Sequence, residues 1–313
     1  TSTGFEPTTF AASYRGGPFI IDSAYYAQAL PIVQAWIGSH SSVAAHRADA
    51  AVSATRPRRL YAAPTLAVFL DGNEDIAFGY LRAADIPMST GAAWPTIKNP
   101  PSAQCPFPNC MTEAEIGGVV GTHPDGSLLD SHGNPTVCQV MSMHYNPADT
   151  TLANEVAFEM RDYLTGRPVH AFFECEAVNW FEDLATAGPF LTTNRLAKAN
   201  EPGSVDYLNS ERPFAQAHGA FGTQGGSMPA FKFAPGSAYY SSIAVMVKEA
   251  GSAVGVKDVW ITDHLYGVPE NGKISYLGGH RYKTDLPIST HPDSQGTRYF
   301  LNSLFEAPCS SEA

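Results

Sequence analysis

The chain has 313 residues, and its hydrophobic share of 44% is that of a folded globular protein, which excludes general disorder. The formal charge is −11 and the one basic cluster is the short run Arg56–Arg59, so we expect neither nucleic acid nor an anionic membrane as partner. No apolar stretch approaches the roughly 18 residues that a membrane span requires.

Cysteine usage points to an oxidising compartment. Cys105 and Cys110 lie five positions apart in a Pro-rich loop, which predicts a short-loop disulfide. The total of five cysteines is odd, so at least one thiol stays free or pairs between chains. The chain starts at Thr1 without Met or a leader-like segment, as a mature chain does after leader removal, and as a shortened chain also does. We therefore expect a secreted or periplasmic protein.

The N-terminal quarter reads as alternating strands and helices after an extended arm. The predicted elements are an arm over residues 1–17, a strand over Pro18–Asp22, a helix over Tyr25–Ile37, and strands over Ser42–Ala48 and Tyr61–Leu70. Asp71 and the acidic residues after it are expected to cap a helix running through Leu81, with a cation site as the alternative. This succession predicts a mostly parallel central sheet with helices on both faces, in one α/β domain over residues 18–313.

Two long loop-rich insertions interrupt that rhythm, at about residues 85–135 and 184–240. Within the first, the turn-rich segment 123–134 favours a hairpin over calcium, because the acidic twelfth ligand of an EF-hand loop is missing. Within the second, the Gly-rich segment 217–226 is interpreted as a loop, with phosphate binding as the alternative, because it neither follows a strand nor opens a helix.

The centre of the chain holds the most informative stretch. A strand over Val137–His144 and a helix over Thr151–Leu164 precede a continuous apolar run that begins at Val169. That run breaks into Glu174-Cys175-Glu176 and a segment that looks helical. Polar residues at such a break lie at the carboxyl edge of a sheet, where ligands of open α/β sheets bind. The sequence leaves three roles open for Cys175, namely a nucleophile, one half of a disulfide or a plain buried thiol.

The C-terminal part is expected to be two helices and two strands. They are a helix over Tyr239–Ala250, a strand over Val256–Thr262, a strand over Ile274–Leu277 and a final helix over Gly296–Phe305.

Ionisable residues follow most of the predicted strands. They are Asp22, Asp71, His144, Glu174, Glu176, Asp263, His264 and His280. In a parallel sheet they would converge at one edge, where carboxylates and imidazoles bind a divalent metal or act as acid and base. The alternative is that they cap helices and meet water.

The closing segment carries a family resemblance. A short strand, Gly278-Gly279-His280, a loop and Arg298-Tyr-Phe-Leu-Asn302-Ser-Leu-Phe resemble the end of class I glutamine amidotransferase-like proteins, in particular the ThuA-like branch of this flavodoxin-like superfamily. The resemblance covers the scaffold strands and excludes both insertions. It implies a divergent amidotransferase-like α/β fold.

The resemblance also implies a nucleophile and a base. In catalytic members a Cys after the central strand attacks and a His near the C-terminus is its base, and Cys175 and His280 match these positions. The flanking glycines of the nucleophile turn are replaced by Phe173 and Ala177, which argues against a sharp turn. Neighbouring Glu174 and Glu176 should raise the thiol pKa. Catalytic members carry an acidic residue two positions after the His, and here Tyr282 takes that position, so the acid that orients the imidazole is missing. ThuA-like members also lack the glutaminase nucleophile, so the fold alone does not imply amidase activity.

Two functions follow from these residues. The first is a secreted hydrolase or carbohydrate-active enzyme, binding a small molecule or carbohydrate, with its site formed by His144, Glu174, Cys175, Glu176 and His280. The second is a non-catalytic extracellular binding or structural subunit that self-associates through aromatic-rich loops, although aromatics that cover the core explain those loops equally well. No cofactor motif is present, and the sequence leaves a bound metal open.

Overall fold

The computed structural model describes residues 66–118, 127–148, 150–209, 215, 219–286, 288 and 291–304. The strands are β1 (Leu66–Phe69), β2 (Cys110–Met111), β3 (Gln139–Ser142), β4 (His170–Glu174), β5 (Leu196–Ala199), β6 (Val205–Tyr207), β7 (Ala230–Phe233), β8 (Ala244–Glu249), β9 (Asp258–His264) and β10 (Lys273–Leu277). The helices are α1 (Glu74–Ala83), α2 (Glu113–Gly117), α3 (Thr150–Leu164), α4 (Glu176–Asn179) and α5 (Gln295–Ser303), with a π-helical turn over Trp180–Leu184 and 3-10 turns over Leu265–Gly267 and Pro292–Ser294.

The ten strands in the described part of the chain belong to one mixed sheet. Its main path runs β2-β1-β3-β4-β10-β9-β7-β5, with β8 paired to β9 and β6 paired to β8. Neighbours from β2 to β10 are parallel, whereas every pairing that involves β5 to β9 is antiparallel. The prediction of a mostly parallel sheet was therefore wrong, and the α/β class was right.

Helices cover both faces of the parallel half, as predicted. Successive residues of a strand point to opposite faces, so alternate positions of β4 enter different cores. Phe173 packs in the cluster that contains Met160 of α3, whereas Phe172 packs with Phe78 of α1 and Phe300 of α5. The strands are buried on both sides, which explains their continuous apolar sequences.

Four of the five strands of the antiparallel half come from segments that the sequence pattern misassigned, whereas β9 confirms the strand predicted over Val256–Thr262. The second insertion contributes β5, β6 and β7 to the sheet, so it is not a loop throughout. The helix predicted over Tyr239–Ala250 is strand β8, because a short run of buried apolar residues fits either state. Strands β5, β6 and β7 are only three or four residues long, which is too short for a periodic pattern to reveal them.

Other predicted elements agree with the structure or lie outside it. The helix over Thr151–Leu164 and the final helix are confirmed as α3 and α5, and the Cys105–Cys110 disulfide is present. Asp130 accepts hydrogen bonds from the N–H groups of His132 and Asn134, which favours the hairpin. The arm and every element predicted before residue 61 lie outside the described residues. No helix in the described ranges combines the length and apolar character that a bilayer crossing needs.

Asp258 is a fully buried carboxylate at the start of β9. One oxygen, Oδ2, accepts hydrogen bonds from the Tyr239 hydroxyl at 2.6 Å and the Gly255 N–H at 2.8 Å, while Oδ1 has no hydrogen-bond partner. Burial raises the pKa of Asp258 to about 6. The folded state therefore binds the proton more tightly than the unfolded state does.

We predict that Asp258→Asn removes a pH-dependent loss of stability. Because the folded pKa is raised, this carboxyl favours folding below its unfolded pKa of about 4 and opposes it as pH rises past about 6. Urea unfolding should show the variant gaining on the order of 3 kcal/mol relative to the wild type between pH 4 and pH 7. Asp206→Asn is the control of opposite sign, because hydrogen bonds from Gly251 and Lys248 lower the pKa of Asp206. A constant difference between Asp258→Asn and the wild type would contradict the prediction.

Candidate active site

Three neighbouring parallel strands end at one cluster of side chains. His144 follows β3, Cys175 follows β4 and His280 follows β10, separated from it by two glycines. The sulfur of Cys175 and one nitrogen of each imidazole all lie within 4.8 Å of one another, and the two ring centroids are 4.6 Å apart. Three of the five predicted site residues therefore meet at the carboxyl edge of the parallel half.

Cys175 lies on a sharp turn between β4 and α4. Its backbone has φ 56° and ψ −123°, a conformation that L-residues rarely adopt and that is typical of nucleophiles between a strand and a helix. The bulky neighbour does not prevent this turn, because Phe173 points into the core and stacks on Phe181 with ring centroids 4.2 Å apart. The expectation that replacing the flanking glycines removes the sharp turn was therefore wrong.

The thiol of Cys175 is free and fully buried. Burial is the main cause that raises its pKa, and the Glu174 carboxylate raises it further, as the sequence predicted for that residue. The Ser227 hydroxyl, 3.4 Å from the sulfur, and the main-chain N–H groups of Ser227 and Met228 act in the opposite direction. At rest the site therefore holds a neutral thiol.

Both imidazoles are neutral at pH 7. Burial lowers the pKa of His280 to about 4, with His144, Arg281 and Lys98 adding to the effect. Burial also lowers the pKa of His144, against the attraction of the Glu176 carboxylate. The Nδ1 atom of each ring is buried and has no hydrogen-bond partner.

Glu174 lies beneath the cluster instead of lining it. Its carboxylate accepts hydrogen bonds from the Tyr80 hydroxyl at 3.3 and 3.4 Å and from the Arg281 N–H at 3.1 Å. Tyr80 accepts in turn from the Tyr282 N–H at 2.8 Å. Burial raises the pKa of Glu174 to about 8. Glu174 thus ties α1 to the two residues that follow His280, and it acts as a positioning residue.

Asp71 does the same for the other imidazole. Its side chain accepts from the Ser142 hydroxyl at 2.9 Å and from the N–H groups of Met143 and His144 at 2.7 and 3.0 Å. The predicted helix cap is incorrect, because α1 begins after Asn73. The carboxylate of Asp71 instead holds the end of β3, which carries His144.

Asp263 and His264 do not join the cluster. Strand β9 is antiparallel to β10, and His264 pairs with Lys273 at the start of β10. These two residues therefore lie at the opposite edge of the sheet, which corrects the predicted convergence of all strand ends. Asp22 lies outside the described residues.

The part of the site that the sequence did not reveal is the loop over residues 223–228. Gly226 has φ +82°, and a Cβ there would lie 2.6 Å from the Cβ of His280 and 3.1 Å from the Cys175 sulfur. This close approach requires glycine. The paired glycines before Ser227 were visible in the sequence, but nothing local linked them to Cys175.

Comparison with protein-family models gives no match, and comparison with curated proteins gives none. Among solved structures, the chain is similar to a "putative gmp synthase subunit a protein" of Thermoplasma acidophilum, at 10% sequence identity and a TM-score of 0.41. The match covers 78% of this chain and 94% of the other.

We predict that Gly226→Ala, unlike Gly225→Ala, opens access to Cys175. Both glycines have positive φ, so both variants carry similar backbone strain of about 1 kcal/mol, but only the methyl at 226 meets His280 and the sulfur. The loop must move off the thiol in Gly226→Ala, so alkylation of the native protein by iodoacetamide should be faster in that variant. Equal rates in the two variants would contradict the packing described above.

Proposed function

We propose that this protein is a cysteine-dependent hydrolase that transfers an acyl group from an amide or ester to water. The observation that carries the proposal is the backbone of Cys175, held at positive φ between a strand and a helix with two imidazoles beside the sulfur. A buried thiol without a role would not need this strained conformation. We also propose that the scaffold is that of the class I glutamine amidotransferase-like superfamily, in its ThuA-like branch, as the resemblance of the closing segment implies.

The proposed step uses His280 as base and Cys175 as nucleophile. His280 takes the thiol proton while the sulfur forms a bond to the carbonyl carbon, whose π electrons move to the oxygen. The tetrahedral intermediate collapses to a thioester, and the imidazolium gives its proton to the leaving amine or alcohol. Water then hydrolyses the thioester with the same imidazole as base. Because thiol and imidazoles are neutral at rest, the proton moves only as the substrate reacts.

The positions of the two glutamates favour acyl transfer over glycoside hydrolysis. A glycosidase needs two carboxyl groups that flank the scissile bond. Glu174 is fully buried and accepts from Tyr80 and Arg281, so it has no face toward a sugar. Glu176 is half-buried and accepts a hydrogen bond from the Asn179 side chain at 3.3 Å, so it is the one of the two glutamates with exposed surface. A carbohydrate can still be the group that carries the ester or amide.

We also propose that the protein is secreted or periplasmic. Support comes from the Cys105–Cys110 disulfide and from Cys138, which is disulfide-bonded as well. Such bonds persist in oxidising compartments and are reduced in the cytosol of mesophiles. Cys175 is then the reduced exception, as a reactive thiol must be.

A second candidate is a non-catalytic binding or structural subunit. The full burial and raised pKa of Cys175 favour it, because structural buried thiols are inert. The aromatic residues offered by the sequence as assembly contacts do not support it. Four of them, Trp94, Trp180, Phe221 and Phe231, are buried, and the other three, Phe233, Tyr239 and Tyr240, are half-buried, so none is fully exposed.

The deciding experiment is thiol labelling of the native protein with mass mapping. We expect a small carbonyl electrophile to label Cys175 in the wild type, and His280→Ala to slow labelling by roughly 10²-fold or more, the usual worth of a general base. His264→Ala is the matched control, because that imidazole lies at the opposite sheet edge. A thiol that is inert until the protein is denatured would overturn the hydrolase proposal in favour of the second candidate.

A positioning role for Glu174 gives a further prediction. Glu174→Ala removes the acceptor of the hydrogen bonds from the Tyr80 hydroxyl and the Arg281 N–H, so the residues after His280 are held less firmly. We expect labelling of Cys175 to slow by about tenfold while the free energy of unfolding falls by about 1–3 kcal/mol. Tyr80→Phe should reproduce the effect on labelling more weakly. An unchanged labelling rate in Glu174→Ala would contradict a positioning role for this residue.

A further inference from the structure

The cluster at the sheet edge has the composition of a transition-metal site. It offers one thiol sulfur and two imidazole nitrogens, all within 4.8 Å of one another. Thiolate and imidazole are the ligands that zinc and its neighbours select, in contrast to the oxygen ligands of magnesium and calcium. Each imidazole also has a buried Nδ1 atom without a hydrogen-bond partner, and such an atom is available to a metal ion.

We propose that His144, Cys175 and His280 bind a borderline-soft divalent ion such as Zn²⁺, with the fourth coordination position left for water or a ligand. Three protein ligands and one open position are the pattern of catalytic and exchangeable zinc sites, whereas structural sites are closed by four. This inference concerns metal binding by the three residues and does not depend on the proposed hydrolase activity.

The geometry needs only a small adjustment to hold the ion. Zinc bonds of about 2.0–2.1 Å to nitrogen and 2.3 Å to sulfur place tetrahedral ligand atoms roughly 3.3–3.7 Å apart. The present separations are at most 4.8 Å, so the ligand atoms must close by no more than about 1.5 Å. Rotation of the two part-buried imidazoles supplies this movement, while hydrogen bonds hold the main chain, from the His144 N–H to Asp71 and from the His280 N–H to the Thr223 carbonyl.

The surroundings suit a cation. Asp71 and Glu176 both act on His144 as nearby negative charges. Asp71 also fixes the main chain of His144, and the Ser227 hydroxyl lies 3.4 Å from the sulfur, where it can donate to a thiolate. Such outer partners orient the ligands of metal sites. The cations nearby are partly neutralised, because Arg281 and Lys98 both pair with Asp75, at 2.8 and 3.7 Å.

Occupancy has a consequence for the thiol. Binding releases the thiol proton and engages the sulfur, so a bound ion would block nucleophilic attack by Cys175. The same three residues would then carry thiol chemistry without the ion and Lewis-acid chemistry with it. The two states are separable by experiment because metal binding needs no substrate.

The test is titration of the full chain with Co²⁺, a spectroscopically visible substitute for Zn²⁺, in buffer free of thiol reductants. We expect one ion per chain, with a tetrahedral visible spectrum and a thiolate-to-metal charge-transfer band. Cys175→Ser should lose the charge-transfer band. His144→Ala and His280→Ala should each weaken binding by more than the roughly 10–100-fold that loss of an outer partner costs. His132→Ala is the control, because its side chain is 82% exposed.

A wild-type measurement guards against variants that fail to fold. In the wild type, Zn²⁺ should displace Co²⁺ and so abolish the visible spectrum of the bound cobalt. At saturation, Zn²⁺ should also protect Cys175 from alkylation. Absence of binding, or binding that Cys175→Ser leaves spectroscopically unchanged, would overturn the metal site. Those outcomes would leave the hydrolase proposal standing if the metal-free thiol is labelled in a His280-dependent way. Conversely, the protein could bind Co²⁺ through the thiol while Cys175 labelling does not depend on His280. That result would support the metal site and contradict the hydrolase proposal.

Discussion

The buried carboxylate of Glu174 is the constraint on which the site depends. It sits at the last position of β4, immediately before the strained turn at Cys175, and it receives hydrogen bonds from α1 and from the chain that follows β10. A carboxyl group without exposed surface is stable only if such donors surround it. The same contacts therefore keep Glu174 buried and hold His280 over the sulfur.

Most of the parallel half could be predicted from the sequence because its signals are local, the exception being β2, which lies within the first predicted insertion. Val169 and the apolar residues after it read as a doubly buried strand, and the positions of β3, β4 and β10 followed from similar runs. In the antiparallel half, β9 was predicted as a strand, whereas β5 to β8 were not. The residues of β8 form a buried run with no clear period, and the pairing of β9 with β10 depends on contacts that no spacing encodes.

The candidate site was predictable to the same extent. Cys175, His144 and His280 converge because each follows a parallel strand, and that rule needs only strand positions and direction. It failed for His264, whose strand runs the other way, and for Glu174, whose side chain points into the core. Gly226 and Ser227 escaped prediction because they reach Cys175 from a loop about 50 residues downstream.

Strand β10 is the seam between the two halves, parallel to β4 on one side and antiparallel to β9 on the other. The ligand-bearing strand ends come from the parallel side, whereas the loop that roofs the sulfur enters the sheet through β7 on the antiparallel side. The strand ends that carry His144, Cys175 and His280 and the loop over residues 223–228 that covers the sulfur therefore come from different stretches of the sequence. Substitutions in the loop over residues 223–228 can therefore change which molecules reach the Cys175 thiol without changing the register of β3, β4 and β10.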